Sequence, residues 1–539
     1  MRTAPIVSVG LLLSISAHGA EAPPDLILLN GKVFTSNLTK PTVEAVAIRG
    51  DRIIAAGASK EIERLAGAKT RRVDLRGHVV VPGFNDAHFH FEPDPKGSNL
   101  QFKTMEPSWQ ETIDAIKLSV KRAAAGSWIF GSVGHDVVLN PEATRFELDR
   151  IAKNHPILLR SYYGHGHIIN SKAMPLLQIG EREPDPVGGY FERVAGSNRI
   201  NGRFGEYAEW KPNRILIGLV SDPDVVKHMK ALAEEAVRYG VTSMQIMSPM
   251  SVDRFARLLV KANLPIRVRA IPFPMTTPEG RELIEVRQIS SLKFPHSKVT
   301  ISGIKWILDG SPFERGAALR RSYQDRQGWT GKLNFPEREI TLMVKESLDF
   351  NQPLLLHCAG DRAAEAVLNT LERYGHDVDW REKRVRIEHG DGVINDLIPR
   401  AARLGVIVVQ NPTHFSDREL FQQRWGPGMQ PVRSLIEAGI PLAFGSDGPM
   451  NPFLNIMLAT THPYNPAEAI TREQAVRAYT YGSAFAEFAE REKGIIAENM
   501  LADMAVLSQD IFAAPVAELP KTTSVLTIVG GRIVYNAMK

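Results

Sequence analysis

The middle of the chain alternates short apolar runs with amphipathic stretches of helical length, and this alternation limits the possible folds more than any other feature. The clearest apolar runs are residues 299–308, 353–357, 385–389, 405–410 and 441–445. Amphipathic stretches such as Asp361–Tyr374 lie between them. Strand and helix repeated at this spacing predict a parallel sheet in an α/β protein, and the number of units favours a closed (β/α)8 barrel of the TIM type over an open sheet.

The two ends of the chain carry short strands and turn signals instead. Residues 26–35, LILLNGKVFT, and 526–535, LTIVGGRIVY, each contain two apolar strands around Asn-Gly or Gly-Gly, which predicts a hairpin at each end. Residues 43–56 predict another hairpin, with its turn at Gly50 and Asp51. Short hairpins are not stable alone. We therefore predict a composite small β domain built from residues 23–80 and 496–539, with the barrel between them at 81–495.

The segment at about 91–223 fits the strand–helix alternation poorly. It is rich in Gly, Pro and Arg and contains GGYFERVAGSNRINGRFGE. We predict an insertion after the first barrel strand. Such an insertion either shapes a substrate pocket or decorates the surface, and the sequence favours neither.

Residues 1–22 have the pattern of a cleaved export signal. Arg2 precedes an apolar run at 6–15, and small residues follow, with Ala20 and Ala22 the best cleavage points. The run is too short to span a bilayer, and no other stretch resembles a transmembrane helix. We therefore expect an exported protein, located in a periplasm, without a stable membrane span. The alternative is a buried or frayed N-terminal helix.

Composition and charge exclude several classes of protein. The 539 residues are 43% hydrophobic and 23% charged, as in an ordinary globular protein, so wholesale disorder is excluded. The net charge of +5 is spread along the chain without a dense basic run, which gives no support to nucleic-acid binding. The single cysteine, Cys358, excludes an intramolecular disulfide and a cysteine-based zinc site.

Five apolar runs end in, or contain, side chains that bind metals or transfer protons. The carboxyl ends of barrel strands meet at one rim, where active sites are built. The candidates, in chain order, are His88, His90, Lys305, His357, His389 and Asp447.

His88 and His90 are two residues apart, so an extended strand points both imidazoles to one side, where they can hold one zinc ion. A lysine within an apolar strand is costly unless it is paired or modified, which makes Lys305 a candidate for carboxylation by carbon dioxide. Asp447 could take a proton from water. Taken singly, each histidine is also compatible with an ordinary core or rim position, Lys305 with an exposed strand edge, and Asp447 with capping the next helix.

Five motifs in a fixed order resemble the amidohydrolase superfamily: PGFNDAHFH, GIKWILDGS, LLLHCAGDRAAE, RIEHG and FGSDGP. The accessory stretches WIFGSVGHD, YYGHGHIINSKA and YGVTSMQIM are similar to its YtcJ-like branch, also called amidohydrolase family 3. The resemblance covers nearly the whole chain after the signal. One departure is the DGV that follows RIEHG, where the branch more often has Ala-Gln.

The resemblance implies a barrel with two divalent metal ions, usually zinc. By position, His88 and His90 would bind the first ion, and His357 and His389 the second. Lys305, carboxylated by carbon dioxide to a carbamate, would bridge the two ions.

The same resemblance makes Asp447 both a ligand of the first ion and the catalytic base. A metal-bridging hydroxide would attack an amide-type carbonyl of a small molecule, such as an amide, formamide or cyclic amide. His165, in YYGHGHIIN, is a second catalytic candidate that could hold the substrate carbonyl or the leaving group. Packing is the alternative role for His165.

Two other functions stay open at this point. The same site could hydrolyse esters, lactones or carbamates. The chain could also be a non-catalytic binding or regulatory protein on a decayed barrel, although every expected ligand is present. The substrate is expected to be a small molecule, and assembly into a homo-oligomer is compatible with the sequence.

Overall fold

The computed structural model describes residues 22–289, 292, 298–375, 377–425 and 428–538. The export signal expected at 1–22 therefore lies, apart from Ala22, outside the described residues. Eight parallel strands of the described chain form the central sheet: Phe84–His90 (β1), Val241–Ser248 (β2), Arg267–Pro272 (β3), Val299–Ile301 with Ile304–Ile307 (β4), Leu354–Cys358 (β5), Arg386–His389 (β6), Ile407–Gln410 (β7) and Leu442–Phe444 (β8).

The eight strands pair in sequence order around a barrel. One run of parallel hydrogen bonding joins β1, β2, β3 and the first segment of β4 in that order. A second run joins the second segment of β4 to β5, β6, β7 and β8 in that order. The step between the segments falls at Gly303, whose φ of +99° suits glycine. The ring closes where the N–H of Asp447 donates to the carbonyl of His88 at 3.0 Å. The predicted TIM-type fold is thereby confirmed.

Helices connect the barrel strands. Asp222–Arg238 shows why they form: the Ser221 hydroxyl caps the first turn, and Val225, Met229 and Ala233 recur on one buried face. The remaining helices that follow barrel strands are Val252–Ala262, Ile284–Ile289, Glu337–Asp349, Asp361–Tyr374, Trp380–Lys383, Leu397–Leu404, Arg418–Arg424, Arg433–Glu437, Pro452–Thr461, Arg472–Arg477 and Ser483–Phe485. Within the described ranges, no helix combines the length and the apolar character needed to cross a bilayer.

Strands from both ends of the chain share one sheet. Its described strands, in spatial order, are Arg532–Asn536, Ser524–Val529, Met504–Leu507, Val79–Pro82, Lys32–Phe34 and Thr42–Val43. A second sheet comprises Arg52–Gly57, Ala45–Arg49, Leu26–Leu29 and Arg71–Asp74, and the short helix Ser59–Glu63 lies in the chain between the first and the last of these strands. Their common core joins Leu28 and Val46 from the first end to Met504 and Ile528 from the second.

The hairpin predicted at residues 26–35 is wrong. Leu26–Leu29 runs parallel to Arg71–Asp74 in one sheet, and Lys32–Phe34 runs parallel to Val79–Pro82 in the other. Asn30, at φ +58°, therefore marks a step from one sheet to the next and not a reversal of the chain. The hairpins within 43–56 and 526–535 do form.

The segment after β1 folds around a sheet of its own. Its described strands, in spatial order, are Gly189–Arg193, Ile200–Glu206, His167–Ile169, Ile157–Ser161, Trp128–Val133 and Gly97–Asn99. Its helices are Trp109–Arg122, His135–Val138, Arg145–Ala152, Ala173–Leu176 and Trp210–Leu219. Apolar side chains pack on both faces of this sheet. The insertion is thus a packed layer that brings loops to the barrel rim.

Candidate metal centre at the barrel rim

Strand β1 delivers two histidines to the carboxyl rim of the barrel. The Nε2 atoms of His88 and His90 lie 3.3 Å apart. His88 is buried, whereas the side chain of His90 is 33% exposed. Oδ1 of Asp447 lies 3.8 Å from Nε2 of His88 and 3.5 Å from Nε2 of His90. Three potential ligands from the first and last strands of the barrel therefore converge at this rim.

Asp447 is held toward these histidines by its backbone. It follows β8 with φ +38°, an uncommon conformation for a residue other than glycine, and its N–H is bonded to His88. The helix Pro452–Thr461 is capped by the Asn451 side chain, which accepts from the N–H groups of Phe453 and Leu454. Asp447 therefore does not serve as the cap of that helix.

A second group of histidines lies on the other side of Asp447. The rings of His357 and His389, at the ends of β5 and β6, have centroids 4.4 Å apart. His414 stacks on His389 with centroids 5.6 Å apart. Oδ2 of Asp447 lies 3.8 Å from Nδ1 of His389 and 3.6 Å from Nε2 of His414. The carboxylate thus stands between two histidine groups.

These side chains fit a metal centre. The ligand atoms of His88, His90 and Asp447 lie within 4.8 Å of one another, and so do those of His389, His414 and Asp447. His357 stands outside both groups of three but next to His389. Nε2 of His357 and Nδ1 of His389 are buried and, among the described residues, have no hydrogen-bond partner. Buried polar atoms without partners are uncommon, and a metal ion would satisfy them.

Lys305 lies in β4 among apolar neighbours and is only 1% exposed. Its Nζ is buried and has no hydrogen-bond partner within the described chain. Burial lowers the pKa of Lys305 to about 8, against the opposing charges of Glu388 and Asp447. The lower pKa increases the neutral fraction of the amine, and the neutral amine is the form that reacts with carbon dioxide.

The protonation states suit metal binding. Burial, followed by the charge on Lys305, lowers the pKa of His88 to about 4. Burial and neighbouring charges also lower the pKa values of His357 and His389 well below the ordinary value. Neutral imidazole is the form that coordinates metals. Burial opposes the charged form of Asp447, but the histidines around it, His88 foremost, lower its pKa to about 2.

His165 reaches this centre from the insertion. Its ring centroid lies 5.0 Å from that of His357. Its Nδ1 lies 3.0 Å from Oε1 of Glu206, whose other oxygen accepts from Asn334 at 2.8 Å. Burial opposes a charge on His165, but the Glu206 carboxylate outweighs it and raises the pKa of His165 to about 10. Glu206 itself has φ +56°, so the turn that presents it is strained.

Sequence reasoning missed two residues at this site. His414 lies four residues beyond the end of β7, and the rule that active sites form at the carboxyl rim could have identified it. Glu388 stands next to His389 and is bonded to His88 across the barrel interior. The motif RIEHG contained Glu388, but no local signal indicates a contact between residues 300 positions apart.

A family model described as the amidohydrolase family matches residues 71–535. The chain belongs to the amidohydrolase family. YtcJ of Bacillus subtilis (strain 168) is 26% identical over 539 aligned residues covering 94% of this chain and 98% of that protein. The resemblance to the YtcJ-like branch is thereby confirmed.

Two further comparisons extend over nearly the whole chain. The N-substituted formamide deformylase of Arthrobacter pascens is 24% identical and covers 95% of this chain and 98% of its own length. The solved structure of an uncharacterized metal-dependent hydrolase from Pyrococcus horikoshii has 23% identity and a TM-score of 0.70, and the match covers 92% of this chain and 99% of that one. This structural likeness supports the fold.

Proposed function

We propose that the protein is a metal-dependent hydrolase that cleaves an amide-type C–N bond of a small organic molecule. The observation that carries the proposal is the convergence of His88, His90, His389 and His414 on the Asp447 carboxylate at the barrel rim. Membership of the amidohydrolase family supports the same class of reaction.

We propose that the site holds two divalent ions. Zinc is the first candidate, although imidazole and carboxylate also bind manganese, iron and cobalt. His88, His90 and Asp447 would hold one ion, and His357 and His389 the other. Lys305, as a carbamate, would contact both ions, which would give a role to a buried Nζ that has no hydrogen-bond partner among the described residues. When bound, the metals would polarise the scissile carbonyl and lower the pKa of the attacking water.

Asp447 supplies the proton transfer. A carboxylate is ionised at neutral pH, and at the rim it stands where it can accept a proton from the attacking water. The same oxygen then delivers that proton to the leaving nitrogen. This second transfer matters for amides because an amine is a poor leaving group until it is protonated.

His165 positions the substrate in this scheme. Glu206 is hydrogen-bonded to Nδ1 of His165, which leaves Nε2 of His165 available to the substrate carbonyl or the leaving nitrogen. In the loop that carries His165, the ring of Tyr163 stacks on that of Phe313, with centroids 3.4 Å apart. An apolar substituent on the substrate nitrogen would suit this aromatic neighbourhood. N-substituted formamides, the substrates named for the Arthrobacter pascens relative, are therefore the first compounds to test.

A substrate panel tests the proposal. Zinc-loaded protein is incubated with matched N-formyl, N-acetyl and cyclic amides that carry aryl or alkyl nitrogen substituents, beside the corresponding esters, lactones and carbamates. We expect turnover of at least one amide, with free amine released in equal amount to the acid. Turnover confined to esters, lactones or carbamates would show that the bond is wrongly assigned. Metal-loaded protein that turns over nothing would favour the binding-protein alternative.

A further inference from the structure

Glu388 is a buried carboxylate that touches the proposed metal centre from within the barrel. It is 0% exposed and precedes His389 on β6. Its Oε2 lies 2.6 Å from Nδ1 of His88, on β1. Strand β1 is flanked by β2 and β8, whereas β6 is flanked by β5 and β7. The contact therefore spans the barrel interior and is not a contact between neighbouring strands.

Arg386 holds this carboxylate in place. Its Nε donates to Oε1 of Glu388 at 2.7 Å and its Nη2 to Oε2 at 3.0 Å. The two residues are two positions apart on β6, so their side chains share one side of the strand. Arg386 also donates to the Ala87 carbonyl at 2.8 Å and to the side-chain oxygen of Gln245. Residues from β1, β2 and β6 thus fix the position of the carboxylate.

The arrangement determines which nitrogen of His88 is free. A carboxylate engaged by an arginine accepts hydrogen bonds, so Nδ1 of His88 carries the proton and Nε2 carries the lone pair. Nε2 faces His90 at 3.3 Å and Asp447 at 3.8 Å. Metal-binding histidines commonly donate their other ring N–H to a carboxylate, which fixes the ring and raises its basicity.

We infer that Glu388 is a positioning residue for the metal centre: it fixes the tautomer and ring orientation of His88 so that Nε2 is presented to the ion. This inference rests on the proposed function, because it assigns His88 as a ligand. It predicts that loss of the Glu388 carboxylate weakens metal binding even though Glu388 itself touches no ion.

Zinc affinity tests the inference without any assay of turnover. Metal-free wild type, Glu388→Gln, Glu388→Asp and Glu490→Gln are titrated with Zn²⁺ alone against a chromophoric chelator, with folding checked by circular dichroism. Glu490 is the matched control because it accepts two hydrogen bonds from Arg384, at 2.7 and 3.0 Å, away from the rim. We expect Glu388→Gln to bind zinc about 10- to 100-fold more weakly, Glu388→Asp to be intermediate, and Glu490→Gln to match wild type.

The visible spectrum of Co²⁺-loaded protein supplies a second readout. A change in the ring orientation or the tautomer of His88 changes the ligand field of the ion. The absorption bands should therefore shift in Glu388→Gln but not in Glu490→Gln. A folded Glu388→Gln protein with wild-type zinc affinity and spectrum would overturn the inference. If Glu388→Gln does not fold, Glu388→Asp decides by the same two criteria. Wild-type protein that binds no zinc would overturn the proposed function itself, and the inference with it.

Discussion

Replacing Lys305 by alanine is expected to remove metal and activity together. The lysine is buried, its Nζ has no hydrogen-bond partner in the described chain, and as a carbamate it would contact both ions. We expect turnover to fall by at least about a thousandfold, because water without a metal keeps a pKa of about 15.7 instead of about 7. Elemental analysis and amide turnover of the same preparation are the measurements.

Lys493→Ala is the matched control for that variant. Lys493 is also a buried lysine, but it is paired with Glu487 at 2.7 Å and with the Ser243 hydroxyl at 2.9 Å. Its loss should lower the melting temperature and leave the metal content unchanged. Short carboxylic acids should partly restore the activity of Lys305→Ala by filling the space of the carbamate. Two tightly held metals per chain in Lys305→Ala would contradict the bridging role.

Asp447→Asn is expected to separate catalysis from metal binding. Asparagine keeps the size and one oxygen ligand but removes the basic group, so metal content should fall only modestly. Amide turnover should fall about a hundredfold to ten-thousandfold, the usual contribution of a positioned general acid or base. Turnover of an activated ester should fall less, because its leaving group needs no proton.

Asp417→Asn controls for the loss of a rim aspartate. The Asp417 side chain accepts from the N–H of Leu420 and caps the helix Arg418–Arg424, a role that asparagine fills equally well. That substitution should be nearly silent. If Asp447→Asn were as silent as Asp417→Asn, with full metal and wild-type amide turnover, Asp447 would have no part in the mechanism.

The sequence predicted the barrel and most of the rim because both follow from local rules. Alternating strands and helices predict a parallel barrel, and every such strand brings its last residues to one edge. Placing His88, His357, His389 and Asp447 near one another needed only that rule and the positions of the strand ends. The roles assigned to these residues remain predictions until the variants are measured.

Contacts across the barrel could not be predicted in this way. Glu388 and His88 meet because β1 and β6 face each other through the interior, which depends on the barrel geometry and the side-chain orientation on both strands. That contact leaves no pattern in the local sequence. His414 differs, because it lies in the short helix Pro412–Ser416 just beyond β7, where the rule for the carboxyl rim could have placed it near Asp447.

The error at Asn30 has the same origin. An Asn-Gly pair between two apolar runs predicts a hairpin because local turn preferences are strong. In the protein, each of the two runs pairs with a parallel strand more than forty residues away, and these two partner strands belong to different sheets. Tertiary pairing therefore overrode the turn signal.

The proposed reaction depends on bound metal, and removing and then restoring the metal tests this dependence. Protein purified without added metal is analysed for its elements, stripped with a chelator, assayed on the best amide of the panel, and assayed again after zinc is restored. We predict about two divalent ions per chain before stripping, loss of turnover afterwards, and recovery as zinc returns. Unchanged amide turnover in the stripped protein, with no metal detected, would show that the hydrolysis does not depend on metal.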